Sequence, residues 1–335
     1  MRVLITGATG AVGPVLVDAL LAQGIAVRVF GRKVPDPGLF RGRVEFFPGD
    51  VRDLAAVKRA ASGVCVVYHL AALLHLNAPG NDQKDRYRAI NVAGTRNVMD
   101  AAAEAGVRRV VFFSSICVYG PGGTGRIFDE TTGIKPHGLY AETKAEAERI
   151  VLAAAGKNGQ GIGVVLRLAA VYGPRVRGNY DRMIRAISLG LFLPVGRGAN
   201  RRTLVFDRDV AAAALLAAAH PDAAGQVFNV TDGTCPTFAQ ITAALCRGLD
   251  RPVPRWHIPD RWASAVCLAV DRGAKFPGGK PLLKISAMAA KMCEDVAVSG
   301  EKIRSVLGFA PEVCLAKGAE KTAMARRRVK SEAKN

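Results

Sequence analysis

The stretch RVLITGATGAVG, residues 2–13, decides the fold of this 335-residue chain. Its first half is a short apolar run that predicts a buried strand. The second half carries glycines, and the amphipathic segment Ala11–Ala22 that overlaps it predicts a helix. Gly7 permits a tight turn, Gly10 lets the backbone approach a ligand, and Gly13 lets the helix pack closely on the sheet. A strand, a glycine loop and a helix in this order predict a phosphate-binding turn.

Strands and helices alternate from this stretch to about residue 170. The predicted strands are Arg2–Thr6, Ala26–Phe30, Val44–Phe47, Val64–Leu70, Arg109–Phe113 and Ile162–Leu168. The predicted helices are Ala11–Ala22, Leu54–Ala61, Arg86–Glu104 and Leu139–Ala155. Such alternation predicts an α/β fold of the Rossmann type, with a doubly wound parallel sheet.

Residues that follow the third and fourth predicted strands extend the phosphate turn to a whole dinucleotide site. The carboxylate of Asp50 can accept a hydrogen bond from the adenine amine with Val51 against the ring, although a helix N-cap is an alternative role for Asp50. The small residues that end the fourth strand leave room for a cofactor at the switch point of the sheet. We therefore expect an NAD(P) site formed by Gly7, Gly10, Ala11, Val12, Gly13, Asp50, Val51, Leu70, Ala71 and Ala72.

The pattern becomes less regular after residue 174. We expect a dinucleotide-binding domain over 1–174 and a smaller C-terminal α/β substrate lobe over 175–316, with the chain free to cross between them. Residues 317–335 are expected to form a basic, disordered tail. Within the lobe, the predicted helices and strands are Tyr180–Leu189, Thr203–Phe206, Asp209–Ala219, Val227–Val230 and Thr237–Leu249. The segment Arg255–Met292 fits neither pattern clearly.

Three side chains predict hydride chemistry at a carbinol or ketone carbon. Tyr140 and Lys144 are four residues apart at the start of a predicted helix, so they share one face. A nearby ammonium lowers the pKa of a phenol, which is about 10 in free tyrosine. Tyr140 can then exchange the hydroxyl proton while hydride moves to or from a nicotinamide. Ser115 follows the fifth strand, where its hydroxyl can hold the substrate oxygen.

Seven motifs carry a resemblance to a known family: TGATGAVG (6–13), GDVRD (49–53), HLAALLH (69–75), INVAGTRNVMDAA (90–102), SSICVYG (114–120), YAETKAEAE (140–148) and RLAAVYGP (167–174). With them the chain resembles the extended short-chain dehydrogenase/reductases, the NAD-dependent epimerase/dehydratase group. The resemblance implies that Ser115, Tyr140 and Lys144 are catalytic, and that Tyr140 and Lys144 also bind the cofactor. It also implies that Asn91 lies on a helix supporting the active site and cofactor. A homodimer through the helices at Leu139 and Arg86 is a further implication.

The second half of the chain resembles members that act on UDP-sugars. The segments are Gly178-Asn179, 190–194 and 200–205. In that pattern Arg202 matches an arginine that grips the nucleotide diphosphate, a task suited to the guanidinium fork. We therefore expect a nucleotide-sugar 4-epimerase or 4-ketoreductase, with Asn179 and Arg202 binding the substrate. In 4,6-dehydratases an Asp-Glu pair follows the catalytic hydroxyl residue, whereas Ile116 and Cys117 stand here, so no dehydration is expected.

Two alternatives stay open. Ala170 stands where many sugar-nucleotide epimerases have asparagine, so one amide contact to the nucleotide is lost. The first alternative is an NADP-dependent reductase or dehydrogenase of an apolar hydroxy or keto substrate, of the 3β-hydroxysteroid or dihydroflavonol type, because such members share the motifs of the first 170 residues. In that case the apolar segment Trp262–Val270 would line a pocket or touch a membrane. A non-enzymatic dinucleotide sensor is the other alternative, although such proteins usually lose the catalytic tyrosine or lysine.

The second predicted strand favours NADP(H) over NAD(H). NAD-specific relatives place an acidic residue at the position of Gly31, where a carboxylate accepts both ribose hydroxyls. Here Arg32 and Lys33 follow instead, and Arg32 can stack on adenine while donating to a 2′-phosphate. One alternative is that Arg32 and Lys33 only form a solvated loop. Another is that the enzyme retains NAD tightly, as epimerases of this family often do, so that the missing acidic residue does not indicate NADP.

Charge and cysteine content set the remaining expectations. The net charge is +19, and residues 317–335 carry seven Lys/Arg against two Glu. Without a nucleic-acid module or interleaved aromatics, we expect no nucleic-acid binding. Weak contact of this tail with an anionic membrane is the alternative to a solvated tail. The seven cysteines show no C-x-x-C spacing and the five histidines no metal-ligand spacing. They predict reduced thiols, no metal and a cytoplasmic location.

Overall fold

A parallel sheet forms the centre of the molecule. The computed structural model describes residues 1–74, 83–123, 125–259 and 294–332. The spatial order of the sheet is β10 (Val227–Val230), β7 (Gly163–Leu168), β5 (Arg109–Ser115), β4 (Val66–His69), β1 (Arg2–Thr6), β2 (Ala26–Gly31) and β3 (Glu45–Pro48). Every neighbouring pair is parallel, and the winding reverses between β1 and β4. The predicted doubly wound α/β fold is confirmed.

Helices cover both faces of this sheet. Helices α1 (Gly13–Ala22) and α8 (Asp207–Ala219) pack on one face. On the other lie α3 (Leu54–Ala61), α5 (Gly94–Ala105) and α6 (Leu139–Ala153). Side chains alternate across a strand, so Val3 and Ile5 of β1 join the first core while Leu4 joins the second. Both faces are buried, which explains why the strands are continuous apolar runs.

The other elements lie around the carboxyl edge and in the lobe. They are α2 (Pro37–Phe40), α4 (Gln83–Tyr87), α7 (Asn179–Ser188), α9 (Phe238–Gly248), α10 (Glu301–Leu307) and α11 (Leu315–Glu332), with the strand pairs β8 (Ala170–Tyr172) with β9 (Leu204–Phe206) and β6 (Ile127–Phe128) with β11 (Ala297–Val298). The lobe has its own core, to which α7 contributes Met183 and Ile187 and α9 contributes Phe238 and Leu245. Strand β10 is part of the central sheet, and helix α8 packs on that sheet. The chain therefore returns from the lobe to the sheet after residue 206.

The prediction of a disordered tail is wrong over residues 317–332, because these residues belong to helix α11. Ala319, Thr322 and Ala323 are buried, at spacings of three and four that define one helix face. Ala319 joins the core of the lobe. The sequence interpretation gave weight to the basic residues and overlooked this stripe of small residues between them.

The long predicted helix Arg86–Glu104 is interrupted in the structure. A π-helical turn, Arg88–Ala93, separates α4 from α5. A π-helical turn is often found at a functional site, and Asn91 lies in this one. The predicted segment Trp262–Val270 lies outside the described residues, as does most of Arg255–Met292. Within the described ranges, no helix is both long and apolar enough to cross a membrane.

Candidate active site

A cavity of about 790 Å³ lies at the carboxyl edge of the sheet. Thirteen of the residues expected at the site line it: Gly7, Gly10, Ala11, Val12, Arg32, Asp50, Val51, Leu70, Ala71, Ala72, Ser115, Tyr140 and Lys144. Gly13 and Asn91 lie outside this lining, and so do the two residues expected to bind substrate, Asn179 and Arg202. The cavity therefore brings together the candidate cofactor and catalytic residues.

The glycine loop is shaped to hold a phosphate close to the backbone. Gly7 has a φ of 73°, and a Cβ there would lie 2.6 Å from the backbone nitrogen of Ala71. A Cβ on Gly13 would lie 2.1 Å from the carbonyl oxygen of Ala8. Helix α1 begins after Val12 without a side-chain cap, so N–H groups of its first turn remain for an anion. These features fit the diphosphate of a dinucleotide.

The expected adenosine end of the cavity is charged. The guanidinium of Arg52 contacts the carboxylate of Asp50 twice, at 3.0 and 2.9 Å. The hydrogen bond from Arg52 lowers the pKa of Asp50, and the charge of Arg32 contributes. Arg32 and Lys33 are exposed where they line the cavity, and neither has an ion-pair partner among the described residues. This end can therefore receive an additional negative charge.

Lys144 is the most deeply buried member of the catalytic set. Its Nζ donates to the carbonyl oxygen of Phe113 at 2.6 Å and lies 4.5 Å from the ring centre of Phe112. Burial lowers its pKa to about 7, against the opposing effect of the Glu148 carboxylate. Nearby on β5, Ser115 Oγ accepts from the backbone N–H of Cys117 at 3.2 Å, which leaves its hydroxyl proton for another acceptor.

Tyr140 differs from the sequence expectation. Burial raises the pKa of its phenol, and the neighbouring Cys117 and Tyr87 raise it further. We expected Lys144 to lower this pKa, but Lys144 has its own pKa depressed and donates to a backbone carbonyl. In the protein alone, desolvation therefore outweighs the charge of the lysine, and the phenol is protonated near neutral pH.

Asn91 connects the catalytic helix to the loop after β4. Its Oδ1 accepts from the backbone N–H of Leu73 at 2.7 Å, and its Nδ2 donates to the Leu73 carbonyl at 3.2 Å. The same Nδ2 donates to Thr143 Oγ1 on α6 at 3.1 Å. The oxygen and the nitrogen of this amide thus fix the loop that lines the cavity. The nitrogen also fixes Thr143, the residue before Lys144.

The sequence analysis assigned no role to His69, which is fully buried behind the cavity. Thr95 donates its hydroxyl proton to the carbonyl of Asn91 at 2.6 Å, so His69 Nε2 must donate to Thr95 Oγ1 at 3.0 Å. His69 Nδ1 then accepts from Thr6 Oγ1 at 2.7 Å, and this hydroxyl accepts from the N–H of Ala71 at 3.2 Å. Burial lowers the pKa of His69 to about 3, which keeps it neutral. The chain of bonds joins the glycine loop to the π-helical turn.

A buried ion pair also escaped the sequence analysis. Glu148 on α6 accepts from Arg167 of β7, with Nη2 at 2.8 Å, and from Ser114 Oγ at 2.5 Å. Both charged side chains are less than a tenth exposed. Glu148 follows Lys144 by four residues, the same spacing that revealed Tyr140, so the signal was present in the sequence. The pair fixes the catalytic helix against β7, and the hydrogen bond from Ser114 connects it to β5, the strand that carries Ser115.

The two candidate substrate-binding residues of the lobe lie outside the cavity lining. Asn179 is the first residue of α7, and Arg202 Nη1 lies 3.3 Å from Glu294 Oε2. The lobe contributes Val176 and Arg177 to the cavity lining instead. Arg177 was missed, and its only signal in the sequence is a position close after the Gly-Pro that ends the predicted domain.

A parallel doubly wound sheet with a glycine loop and a serine, tyrosine and lysine at its carboxyl edge defines an extended short-chain dehydrogenase/reductase. Residues 3–231 match the NAD dependent epimerase/dehydratase family. The chain belongs to this family and is an enzyme of its epimerase and oxidoreductase type.

The chain is similar to proteins whose names give different substrates. The UDP-glucose 4-epimerase of Vibrio cholerae is 34% identical over 269 residues, 77% of this chain and 78% of the relative. A sterol-4-alpha-carboxylate 3-dehydrogenase of Bos taurus is 31% identical over 268 residues, 77% of this chain and 72% of the relative. The solved structure of MoeE5 in complex with UDP-glucuronic acid and NAD has a TM-score of 0.75 and 27% identity, covering 98% of this chain and 100% of that one.

Proposed function

We propose that this enzyme is a nucleotide-sugar 4-epimerase or 4-ketoreductase that uses Tyr140 as its acid/base. The observation that carries the proposal is that Ser115, Tyr140 and Lys144 line the same cavity as the glycine loop. A hydroxyl or keto carbon of a substrate in this cavity would lie between these side chains and a nicotinamide. UDP-sugars bound or converted by the relatives support the substrate class.

In the proposed reaction, Ser115 holds the substrate oxygen and Tyr140 takes or gives its proton. Lys144 stabilises the phenolate as it forms, since its ammonium lies on the same face of α6. When bound, NAD(P) supplies the hydride acceptor or donor, and its oxidised form adds positive charge that favours the phenolate. Return of hydride to the opposite face of a 4-keto sugar gives epimerisation, and delivery to a substrate that arrives as a ketone gives reduction.

The anionic substrate is proposed to lie against the lobe. Asn179 and Arg202 are the candidates for its nucleotide diphosphate, and Arg177 is added because it lines the cavity. A guanidinium can donate two parallel hydrogen bonds to phosphate oxygens. The net charge of +19 favours anionic substrates over neutral ones.

The test incubates the purified protein with UDP-glucose, UDP-galactose or UDP-glucuronic acid and either dinucleotide, and separates the products by chromatography. We expect 4-epimers, or reduction of a supplied 4-keto sugar nucleotide, and no 4-keto-6-deoxy product. Arg202→Ala should raise KM for the UDP-sugar more than it lowers kcat. The absence of any change to every sugar nucleotide would refute the proposal.

A second candidate is a reductase or dehydrogenase of an apolar hydroxy or keto substrate. Two observations favour it: Arg202 pairs with Glu294 outside the cavity, and the lobe side of the cavity presents Leu168, Val171 and Val176. A sterol dehydrogenase is among the relatives. Thermal shift with UDP, UDP-sugars and sterols separates the candidates, because a ligand of the native state raises the midpoint.

We further propose that NADP(H) binds at least as tightly as NAD(H), because Arg32 and Lys33 can bind the 2′-phosphate.

A homodimer through α6 and the α4–α5 region is expected from the family, and light scattering tests it. Arg88 and Glu146 form an ion pair across these elements at 2.9 Å. The cytoplasmic location, the absence of nucleic-acid binding and the weak membrane contact of residues 317–335 stay predictions.

A further inference from the structure

Two segments of the lobe run side by side at the surface, away from the cavity lining. We call residues 188–195 and 251–258 the paired loops. At one end Arg251 Nη2 donates to the carbonyl of Ser188 at 2.7 Å. At the other end Ile258 donates to Pro194 and accepts from Gly196, both at 2.8 Å. The two segments therefore form one continuous surface with parallel chain directions.

This surface concentrates exposed apolar side chains. Trp256 is 82% exposed and Leu191 is 76% exposed, and Leu189, Leu193 and Val253 are also exposed. These five are half of the ten large apolar side chains that the described residues leave exposed. Single exposed apolar residues are ordinary on a protein surface, but a cluster of them marks an interaction site.

The charged residues within the paired loops and beside them are mostly arginines, and Asp181, Asp250 and Asp260 stand at the ends of these stretches. Residues 182–199 and 251–259 contain no acidic residue, and their charged members are Arg182, Arg185, Arg197, Arg251 and Arg255. All five are exposed. Arg185 pairs with Asp181, whereas Arg182, Arg197 and Arg255 have no ion-pair partner among the described residues. Exposed leucines and a tryptophan thus lie on stretches of chain that also carry five exposed arginines.

We propose that the paired loops dock on the surface of an anionic lipid bilayer. A tryptophan suits the boundary between headgroups and acyl chains because its ring is amphipathic. Leucines inserted beside it gain from burial, and arginines close to anionic headgroups add about 1 kcal/mol each. Only the bilayer surface offers an apolar layer under a continuous negative charge, so it satisfies both halves of the pattern. The proposal is independent of which reaction the cavity performs.

The experiment is sedimentation of the full-length protein with vesicles of phosphatidylcholine alone or mixed with phosphatidylglycerol. We expect binding to the anionic vesicles, little to the neutral ones, and a decrease as salt rises, because exposed charges are screened. Replacing Leu189, Leu191 and Leu193 together with Ser should reduce the partition constant by about tenfold or more, since each exposed leucine loses its apolar contact.

Matched controls separate this surface from general effects. Ile127→Ser removes a half-exposed apolar side chain on β6, and Arg59→Glu reverses an exposed charge on α3. Neither should change binding, whereas Trp256→Ala and Arg255→Glu should each weaken it severalfold. Equal thermal midpoints of the variants, measured alongside, establish that all are folded.

Three results would overturn the proposal. The first is that the wild-type protein does not bind anionic vesicles. The second is that Lys330→Glu with Lys334→Glu abolishes binding while the leucine variant retains it, which would assign the contact to the tail. The third is that the leucine variant loses self-association rather than vesicle binding, which would make the occupant a second copy of the chain.

Discussion

The catalytic end of the cavity and the substrate lobe hold their polar groups in opposite ways. At the catalytic end, Lys144, Asn91 and Glu148 are buried, and each is fixed by hydrogen bonds to separate elements. In the lobe, Arg202 pairs with a half-exposed glutamate and Arg177 is exposed. Buried polar networks are costly to disturb, whereas exposed ion pairs contribute little. The polar groups of the catalytic end are thus fixed by buried contacts, whereas the lobe residues that we propose to bind the substrate are more exposed.

The largest expected effect is at Tyr140. Tyr140→Phe removes only the proton-transfer group, so turnover should fall about 10²–10⁴-fold while dinucleotide binding is retained. Tyr172→Phe is the matched control in the lobe, because its buried hydroxyl has no hydrogen-bond partner among the described residues. Steady-state kinetics and calorimetric titration give the two readouts. If Tyr140→Phe stays within a few-fold of wild type, the catalytic end is assigned incorrectly.

The second largest effect is expected from the buried ion pair between Glu148 and Arg167. Glu148→Gln leaves the guanidinium of Arg167 buried without a counter-charge, which should lower the free energy of unfolding by about 3–5 kcal/mol. The exposed pair of Arg43 and Asp18, at 2.7 Å, is the control, and Asp18→Asn should cost less than about 1 kcal/mol. Denaturant unfolding measures both. Similar small losses in the two variants would show that burial does not distinguish these regions.

The third effect depends on pH. Burial lowers the pKa of Lys144 from 10.5 to about 7, so between these values the folded protein binds fewer protons than the unfolded chain. Wild-type stability from this group is therefore present above about pH 10 and is lost as the pH falls toward about 7. Lys144→Met does not undergo this loss. Its free energy of unfolding should therefore rise relative to that of the wild type as the pH falls from about 10 to about 7.

One pKa unit corresponds to about 1.4 kcal/mol, so the stability difference for Lys144→Met should change by a few kcal/mol across the range. Lys58→Met, at a half-exposed lysine of α3 that pairs with Glu104, is the control. Unfolding curves at several pH values decide the matter. A difference that is constant with pH would mean that Lys144 titrates normally.

The smallest predicted effect is at the exposed adenosine end. Arg32→Ala should weaken NADP(H) by about tenfold and NAD(H) much less, because the guanidinium would donate to the 2′-phosphate that NADP(H) alone carries. Arg59→Ala, outside the cavity, is the control. Calorimetric titration of cofactor-free protein gives both affinities. Equal weakening of the two dinucleotides, or tenfold tighter binding of NAD by wild type, would contradict the preference.

The sequence was sufficient for the sheet and for the cavity-lining set. Buried parallel strands are apolar runs, and the glycine loop has a local spacing, so both can be recognised without knowledge of distant residues. Tyr140 and Lys144 are adjacent on one helix face for the same reason. The doubly wound sheet and the position of thirteen expected residues at one cavity were therefore predicted correctly.

The rest depends on partners that are distant in the chain. Asn91 bonds to Leu73 and Thr143, and Arg202 pairs with a residue 92 positions away. A helical spacing cannot show which partner a side chain meets. It also cannot show that burial outweighs the charge of Lys144 at Tyr140, because desolvation depends on the whole packed environment. The helix over 317–332 was missed likewise, since its small residues are buried only by the lobe.

We propose that one cavity binds the dinucleotide and the substrate, and that Tyr140 transfers the hydroxyl proton while hydride passes between the substrate carbon and the nicotinamide. The most direct measurement mixes the protein, loaded with oxidised dinucleotide, with a UDP-hexose and follows the absorbance of reduced nicotinamide in a single turnover. We predict that reduced nicotinamide forms in the wild-type protein and is not detected on the same time scale with Tyr140→Phe. Equal rates of formation in the two proteins, or no formation in the wild type with any UDP-hexose, would contradict the account.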